Sequence, residues 1–275
     1  MRRVLTIAGS DSSGGAGVQA DSKVFAELGV YGLTAITSVT AQNSKGVQKV
    51  FKVAPRTIAA QIDSVTRDIG CDACKIGMLY SHQVVDLAAE RIHRREIPNV
   101  VLDPIIFAKG GVRLLTAKAV GRMRRNLLPR VMLVAPNVPE AEILSGIQIN
   151  DRASATAAAT KIWECGCKYV LIKGGHLEGD PDDLLFDGKE VRLFSGKRIE
   201  GEPMRGTGCV LTAAISANLA LGADVPEAVE AGKVFVTHAI EDAVKLGKGQ
   251  VTFYSGAQLH LSKNTEGRRT PDCES

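Results

Sequence analysis

Arg3-Val4-Leu5-Thr6-Ile7-Ala8-Gly9-Ser10-Asp11-Ser12-Ser13-Gly14-Gly15-Ala16-Gly17 is the stretch that decides the fold. Arg3–Ala8 is a short apolar run of strand length, and a glycine-rich turn follows it at once. Runs of the same kind recur at Gly32–Val39, Cys74–Met78, Asn99–Asp103, Val131–Ala135 and Tyr169–Lys173, with amphipathic stretches between them. This alternation is the signature of βα units and a largely parallel sheet. Ile58, Ile62, Val65 and Ile69 share one helical face, with Pro55 before them and Gly70 after as start and stop signals. Asp187-Gly188 separates Leu184–Phe186 from Val191–Phe194 and predicts a hairpin with a type I′ turn. Two longer helices are expected at Cys209–Leu221 and Pro226–Leu246. The simplest organisation is one α/β domain over residues 1–254, with 255–275 a polar, frayed tail.

Composition narrows the class of protein. Aromatic residues make up only 4% and glycines number 28, which suits tight helix–sheet packing. The net charge of +4 is spread along the chain. Its densest basic stretch, Arg122, Arg124, Arg125 and Arg130, reads as a solvated helix face and lacks the interleaved aromatics of a nucleic-acid footprint. The apolar run after Met1-Arg2-Arg3 stops at Gly9, too short for a secretory h-region, and no run reaches membrane-spanning length. A cytoplasmic protein without nucleic-acid or membrane partners is therefore expected. Cys71-Asp72-Ala73-Cys74 has C-x-x-C spacing, but Cys165-Gly166-Cys167 does not complete a zinc pattern. The cysteines read as reduced, small hydrophobes.

Four segments at strand or turn ends carry chemistry. In the first, Gly9 to Gly17 lets backbone amides approach a ligand. It is not a P-loop, because Gly15-Ala16 stands where Lys and Ser/Thr belong. Gly15-Ala16-Gly17-Val18-Gln19-Ala20 fits the dinucleotide fingerprint, yet the turn is too long and Gly32–Val39 ends without the ribose-binding acid. In the second, Gly206-Thr207-Gly208-Cys209 opens a helix, whose bare first amides and dipole make an anion hole. A thiol at Cys209 would sit in that positive field, where its pKa tends to fall. In the third, Pro136-Asn137-Val138-Pro139-Glu140 follows a strand, so Asn137 and Glu140 serve either Mg2+ or a capping box. Asp103-Pro104 repeats that placement, and Lys173-Gly174-Gly175-His176, the fourth, sets a cation where phosphates would lie. Each signal is weak singly. Together they supply the positioning, metal, positive charge and group near an attacking hydroxyl that phosphoryl transfer needs.

Thr6 through Asp21, Ala41-Gln42-Asn43, Lys75 through Leu79, Val101 through Pro104, Asn137 through Glu140, Lys173 through His176 and Gly206 through Cys209 occur in one order. In that combination the chain resembles the hydroxymethylpyrimidine/phosphomethylpyrimidine kinases of thiamine biosynthesis, from about Arg3 to Gly249. The resemblance implies a ribokinase-like three-layer α/β/α sandwich with a central, mostly parallel sheet. It implies ATP-dependent, Mg2+-assisted phosphorylation of a pyrimidine hydroxymethyl group and then of the resulting monophosphate, by a homodimer. Carried over by position, Gly9, Asp21, Gln42 and Met78 would contact the pyrimidine, with Ile105 lining the same pocket. Asp103 and Glu140 would lie on the magnesium side and Lys173 on the phosphates. Gly206, Thr207 and Gly208 would form the anion hole. Cys209 falls where sugar kinases of this fold place an aspartate base; as thiolate it would accept the alcohol proton, as thiol it would only orient the substrate.

The chain departs from the family pattern in three places. Arg205 stands where His often precedes Gly-Thr-Gly-Cys, and it is expected to hold a phosphate. Ile105-Ile106-Phe107-Ala108-Lys109-Gly110-Gly111 replaces Val-Met-Val-Ala-Lys-Ser-Gly, and no His-Gly-Pro follows Gly247-Lys248-Gly249. The nearest rival reading is a pyridoxal kinase of the same fold, whose substrate also carries a ring hydroxymethyl group. Further rivals are a non-catalytic ligand-binding protein, against which Asp103, Glu140, Lys173 and Gly206–Cys209 argue, and a dinucleotide oxidoreductase, against which the missing acid argues.

Overall fold

The computed structural model describes residues 1–107, 113–174 and 181–254. Among them, nine strands form one sheet: β1 (Arg3–Asp11), β2 (Tyr31–Asn43), β3 (Gly46–Lys52), β4 (Ala73–Ile76), β5 (Val100–Leu102), β6 (Leu133–Val134), β7 (Tyr169–Ile172), β8 (Asp183–Phe186) and β9 (Val191–Phe194). Their order across the sheet is β3-β2-β1-β4-β5-β6-β7-β8-β9. The six strands from β2 to β7 in that order run parallel. Only the edges, β3 on one side and β8–β9 on the other, are antiparallel.

The inner strands are apolar on both faces because both faces are covered. Leu5, Ile7, Cys74, Ile76, Val100, Leu102, Val134, Val170 and Ile172 enter one core. Their alternate neighbours Val4, Ala73, Val101, Leu133 and Leu171 enter the other. Helices α2 (Pro55–Asp68), α3 (His82–Arg94), α4 (Ala117–Arg122), α5 (Val138–Ser145) and α6 (Arg152–Trp163) cover the first face. Helices α1 (Gly17–Glu27), α7 (Thr207–Leu221) and α8 (Val225–Glu241) cover the second. This is the three-layer α/β/α sandwich expected. Small residues on α7 and α8 bring those helices close; a methyl added at Gly232 would lie 2.8 Å from Ile215.

Several boundaries differ from the sequence reading for physical reasons. β3 was not foreseen because almost all of it is exposed, Phe51 included at 70%, so it carries no apolar run. The expected face of α2 holds at Ile58 and Ile62, both fully buried, but Ile69 is the C-cap and is 37% exposed. α8 stops at Glu241 rather than Leu246. The β8–β9 connection is not a two-residue type I′ turn, since Gly188 but not Asp187 has positive φ. Instead Asp187 Oδ1 accepts from the amides of Lys189 and Glu190, closing a four-residue loop. The expected tail, 255–275, and the segment Lys109–Gly111 lie outside the described residues, as do Gly175 and His176.

The strand order reverses beside β1: the chain runs outward through β2 and β3, then returns to add β4 on the other side. Ligands of open α/β sheets bind at such a switch point, beyond the carboxyl ends of the strands. Gly9 to Asp11 at the end of β1 and Gly77-Met78 just past β4 flank it.

Candidate active site

A cavity of about 750 Å³ opens at this switch point, and its walls include Gly9, Gln42, Lys75, Met78, Ile105, Arg205, Gly206 and Cys209. Four of the five residues expected to contact the ring (Gly9, Gln42, Met78 and Ile105) thus meet there. Gly9 lacks a side chain for a steric reason: a methyl would sit 2.8 Å from Ser38 Oγ and 3.1 Å from Met78 Cε. Gln42 Oε1 accepts from Thr40 Oγ1 at 3.0 Å, which fixes the amide and leaves Nε2 without a protein partner among the described residues.

The fifth residue, Asp21, does not line the cavity. It is fully buried on α1, where Oδ2 accepts from Thr6 Oγ1 at 2.6 Å and both carboxylate oxygens lie 3.0 Å from Lys75 Nζ. Lys75, on β4 and equally buried, is the member of that cluster that borders the cavity. Burial works against its ammonium, but Asp21, with smaller help from Cys209 and Asp103, outweighs burial and raises its pKa. A lysine within an apolar strand run gives no sign of which face it joins, so the sequence alone assigns Lys75 no role.

Two helix N-termini converge on the cavity. α5, α6 and α8 begin with full capping boxes, whereas the N-caps of α1 and α7, Ala16 and Gly206, offer no side-chain bond. Neither α1 nor α7 carries an acid in its first turn; the Gly17 amide of α1 is turned to Cys209, while no side chain caps the first amides of α7. Gly17 and Gly206 have φ of +59° and +75°, and a methyl on either would lie 2.2 Å from the carbonyl oxygen of Gly9 or Gly15, respectively. The two turns are therefore packed backbone to backbone. Thr207 Oγ1 donates to the Met204 carbonyl at 3.0 Å.

Cys209 opens onto the cavity from the first turn of α7 but is only 7% exposed. Burial raises its pKa, with Asp103 and Asp21 adding to the effect; Lys75 and the Gly17 amide offset it only in part. The fall expected from the helix field is overridden by desolvation, which favours the thiol over the thiolate.

Beyond Gly208 lies a charged trio. Lys173 Nζ donates to Asp103 Oδ1 at 2.7 Å, and a methyl at Gly208 would sit 3.2 Å from that Nζ and 3.6 Å from Asp103 Oδ2. Glu140 is the N3 residue of the α5 capping box: Asn137 N donates to Oε2 at 3.0 Å, and Ile106 N donates to Oε1 at 3.3 Å. Burial, reinforced by Asp103 against the opposing Lys173, raises Glu140 to about 7. Burial disfavours the Lys173 ammonium, while Asp103 and Glu140 more than restore it. Among the described residues no group of three His, Cys, Asp or Glu side chains could hold a metal alone. Two buried carboxylates are nonetheless the hard-oxygen donor set that Mg2+ takes when phosphates and water complete its shell. Arg205 lines the cavity, but its guanidinium is turned to protein. Nη2 meets Asp11 Oδ2 at 2.7 Å, and Nη1 donates to Ser13 Oγ at 3.1 Å and to the Asn43 carbonyl.

Residues 11–253 match the family model described as phosphomethylpyrimidine kinase. The chain is 43% identical over 246 residues to a hydroxymethylpyrimidine/phosphomethylpyrimidine kinase of Streptomyces coelicolor, covering 90% of this chain and 91% of that one. It is equally similar, over 247 residues, to a thiamine biosynthesis bifunctional protein of Geobacter sulfurreducens, of which it spans 50%. Among solved structures, the phosphomethylpyrimidine kinase of Clostridium difficile is 38% identical with a TM-score of 0.79, over 87% of this chain and 100% of that one. An ADP complex of Bacillus subtilis pyridoxal kinase is also 38% identical, with a TM-score of 0.85 over 93% and 98%. Together with the ribokinase-like sandwich and the cavity at its switch point, these likenesses show that the chain belongs to the phosphomethylpyrimidine kinase family.

Proposed function

We propose that this protein uses ATP to phosphorylate 4-amino-5-hydroxymethyl-2-methylpyrimidine and then its monophosphate, in thiamine biosynthesis. The observation that carries the reading is the junction of one cavity, lined by Gly9, Gln42, Met78 and Ile105, with the bare amides of α7 beside Lys173 and Asp103. A ring held against Met78 and Ile105, with Gln42 as donor to its nitrogens, presents its exocyclic oxygen toward Cys209. The amides of Gly206, Thr207 and Gly208 receive the transferring phosphoryl group, and Lys173 neutralises its charge. Asp103 and Glu140 would hold the Mg2+ that accompanies the nucleotide, which supplies charge neutralisation on the phosphates. Ionisation of Glu140, disfavoured by burial, would be favoured by that cation. Cys209, as a thiol, orients the acceptor rather than taking its proton. Arg205 braces the glycine turn against the β2–β3 connection through Asp11, Ser13 and Asn43.

Chemically, pyridoxal would fit the same roles, and the likeness to a pyridoxal kinase structure makes it the acceptor to test in competition. A homodimer acting in the cytoplasm completes the proposal; no helix among the described residues is long and apolar enough to cross a membrane. The experiment is acceptor competition with the purified protein: equimolar pyrimidine alcohol and pyridoxal, limiting Mg-ATP, products separated by chromatography. Predominant pyrimidine phosphate, with selectivity lost in Gln42→Leu, supports the assignment. Predominant pyridoxal phosphate would move the protein to the rival reading.

A further inference from the structure

The layer between the sheet and helices α1 and α7 is apolar along Val4 and Ala73, then turns polar one pleat later at Thr6 and Lys75. These positions are paired in the sheet, Thr6 with Lys75, and they face α1, where Asp21 receives both side chains. A fully buried lysine–aspartate pair is an expensive way to fill a core, and apolar residues of similar volume would do so at no loss of stability. This pair differs from a merely structural one in one respect: Lys75, though its side chain has no exposed surface of its own, borders the cavity beside Cys209 and Met78, while Asp21 does not. Both Asp21 oxygens approach the ammonium from one side at 3.0 Å, so at least one of its three hydrogens points away from them.

Resting on the kinase reading above, we infer that a Lys75 hydrogen left free by Asp21 is donated to the acceptor oxygen of the substrate, and that Asp21 is the positioning residue that aims it. In the first transfer that oxygen belongs to the alcohol. It bonds to the γ-phosphorus, the bridging bond breaks with its electron pair going to ADP, and the alcohol proton passes to an oxygen of the transferred phosphoryl group. In the second transfer the nucleophile is an ionised phosphate oxygen, and no proton moves. Lys75 stays protonated in both and offsets the negative charge on the acceptor side, as Lys173 does on the nucleotide side. One buried cation on each side of the transferring group accounts for a single site that accepts both a neutral alcohol and an anionic phosphate. The charged and titratable groups facing Lys75 are Asp21 from α1, Cys209 from α7 and Asp103 from the end of β5.

The test uses the full chain, with each acceptor at saturation and ATP affinity followed separately by nucleotide binding. Lys75→Met alone would strand the buried Asp21 carboxylate, so the informative variant is the Asp21→Asn/Lys75→Met double, with Asp21→Asn as its partner. We expect the double variant to lose about 100-fold in kcat, as for removal of one donor to the reacting oxygen. The loss should be larger for the monophosphate acceptor, at every pH from 6 to 9, with ATP binding within twofold of the parent. Asp21→Asn, which keeps the amine but removes its counterion, should be most active at the acid end and lose activity as pH rises through the lowered lysine pKa. A double variant within threefold of the parent overturns the inference. So does an equal loss in both variants at every pH, which would trace the effect to packing. Failure of the parent protein to phosphorylate either acceptor would instead overturn the kinase reading, and this inference with it.

Discussion

Gly206→Ala separates the catalytic meaning of the α7 turn from its conformational one. Gly206 has φ +75°, and a methyl there would lie 2.2 Å from the Gly15 carbonyl oxygen, whereas ordinary contact begins at 3.4 Å. The two backbones must part by roughly 1 Å, a misplacement on the scale that costs about 100-fold in turnover. The left-handed conformation adds a stability cost of about 1–2 kcal/mol, or a Tm drop of roughly 3–6 °C for a chain of this size. Gly146 supplies the matched control, with φ +78° at the end of α5 and nothing within 4 Å of an added methyl. Gly146→Ala should show a similar Tm drop and unchanged kcat. Thermal melts and steady-state transfer rates on the two variants decide the matter. If both variants keep the parent kcat, the close approach of the two glycine turns has no role in positioning the phosphoryl group, and the reasoning fails.

Cys209→Ser should retain kcat within about threefold and Cys209→Ala should lose about five- to tenfold, the effect of one orienting hydrogen bond of about 1 kcal/mol; a loss beyond about 100-fold in both would restore the base role. Arg205→Ala strands Asp11, which is 3% exposed, and should lower stability by about 3–5 kcal/mol in denaturant melts. The Asp11→Asn/Arg205→Met pair should recover most of that, and no recovery would count against the brace. At the opposite end of the sheet, hydrogen bonds from Arg3 hold Asp72 down at about 2. Its stabilisation is complete above the ordinary carboxylate pKa and is lost as pH falls toward 2. With Arg3 partly exposed it is worth about 1 kcal/mol. Asp72→Asn should therefore destabilise at pH 7 and match the parent near pH 2, as measured by urea midpoints.

Much of the layered architecture could be read from the chain because burial on both faces leaves an apolar run at each inner strand. β3 and the loop after Asp187 could not be, since an exposed edge strand and a side-chain-closed turn leave no periodic signal. The uncapped start of α7 was legible at Gly206–Cys209, because small residues and the lack of a capping side chain show in the chain itself. Lys75 and Asp21 were harder to read. Fifty-four positions separate them, and only the folded arrangement shows that Lys75 rather than Asp21 borders the cavity. Cys209 shows the limit of local reasoning most plainly. The helix N-terminus argues for a low thiol pKa, but the neighbouring carboxylates and the burial, which arise from distant segments, argue the other way and prevail.

The proposed function requires one cavity to perform two successive transfers. It is tested most directly by a mass-spectrometric time course with the pyrimidine alcohol as sole acceptor and excess Mg-ATP. Monophosphate should rise first and then be consumed as diphosphate accumulates, with two ATP used per diphosphate. Monophosphate that accumulates without further conversion, or no transfer at all, would contradict it.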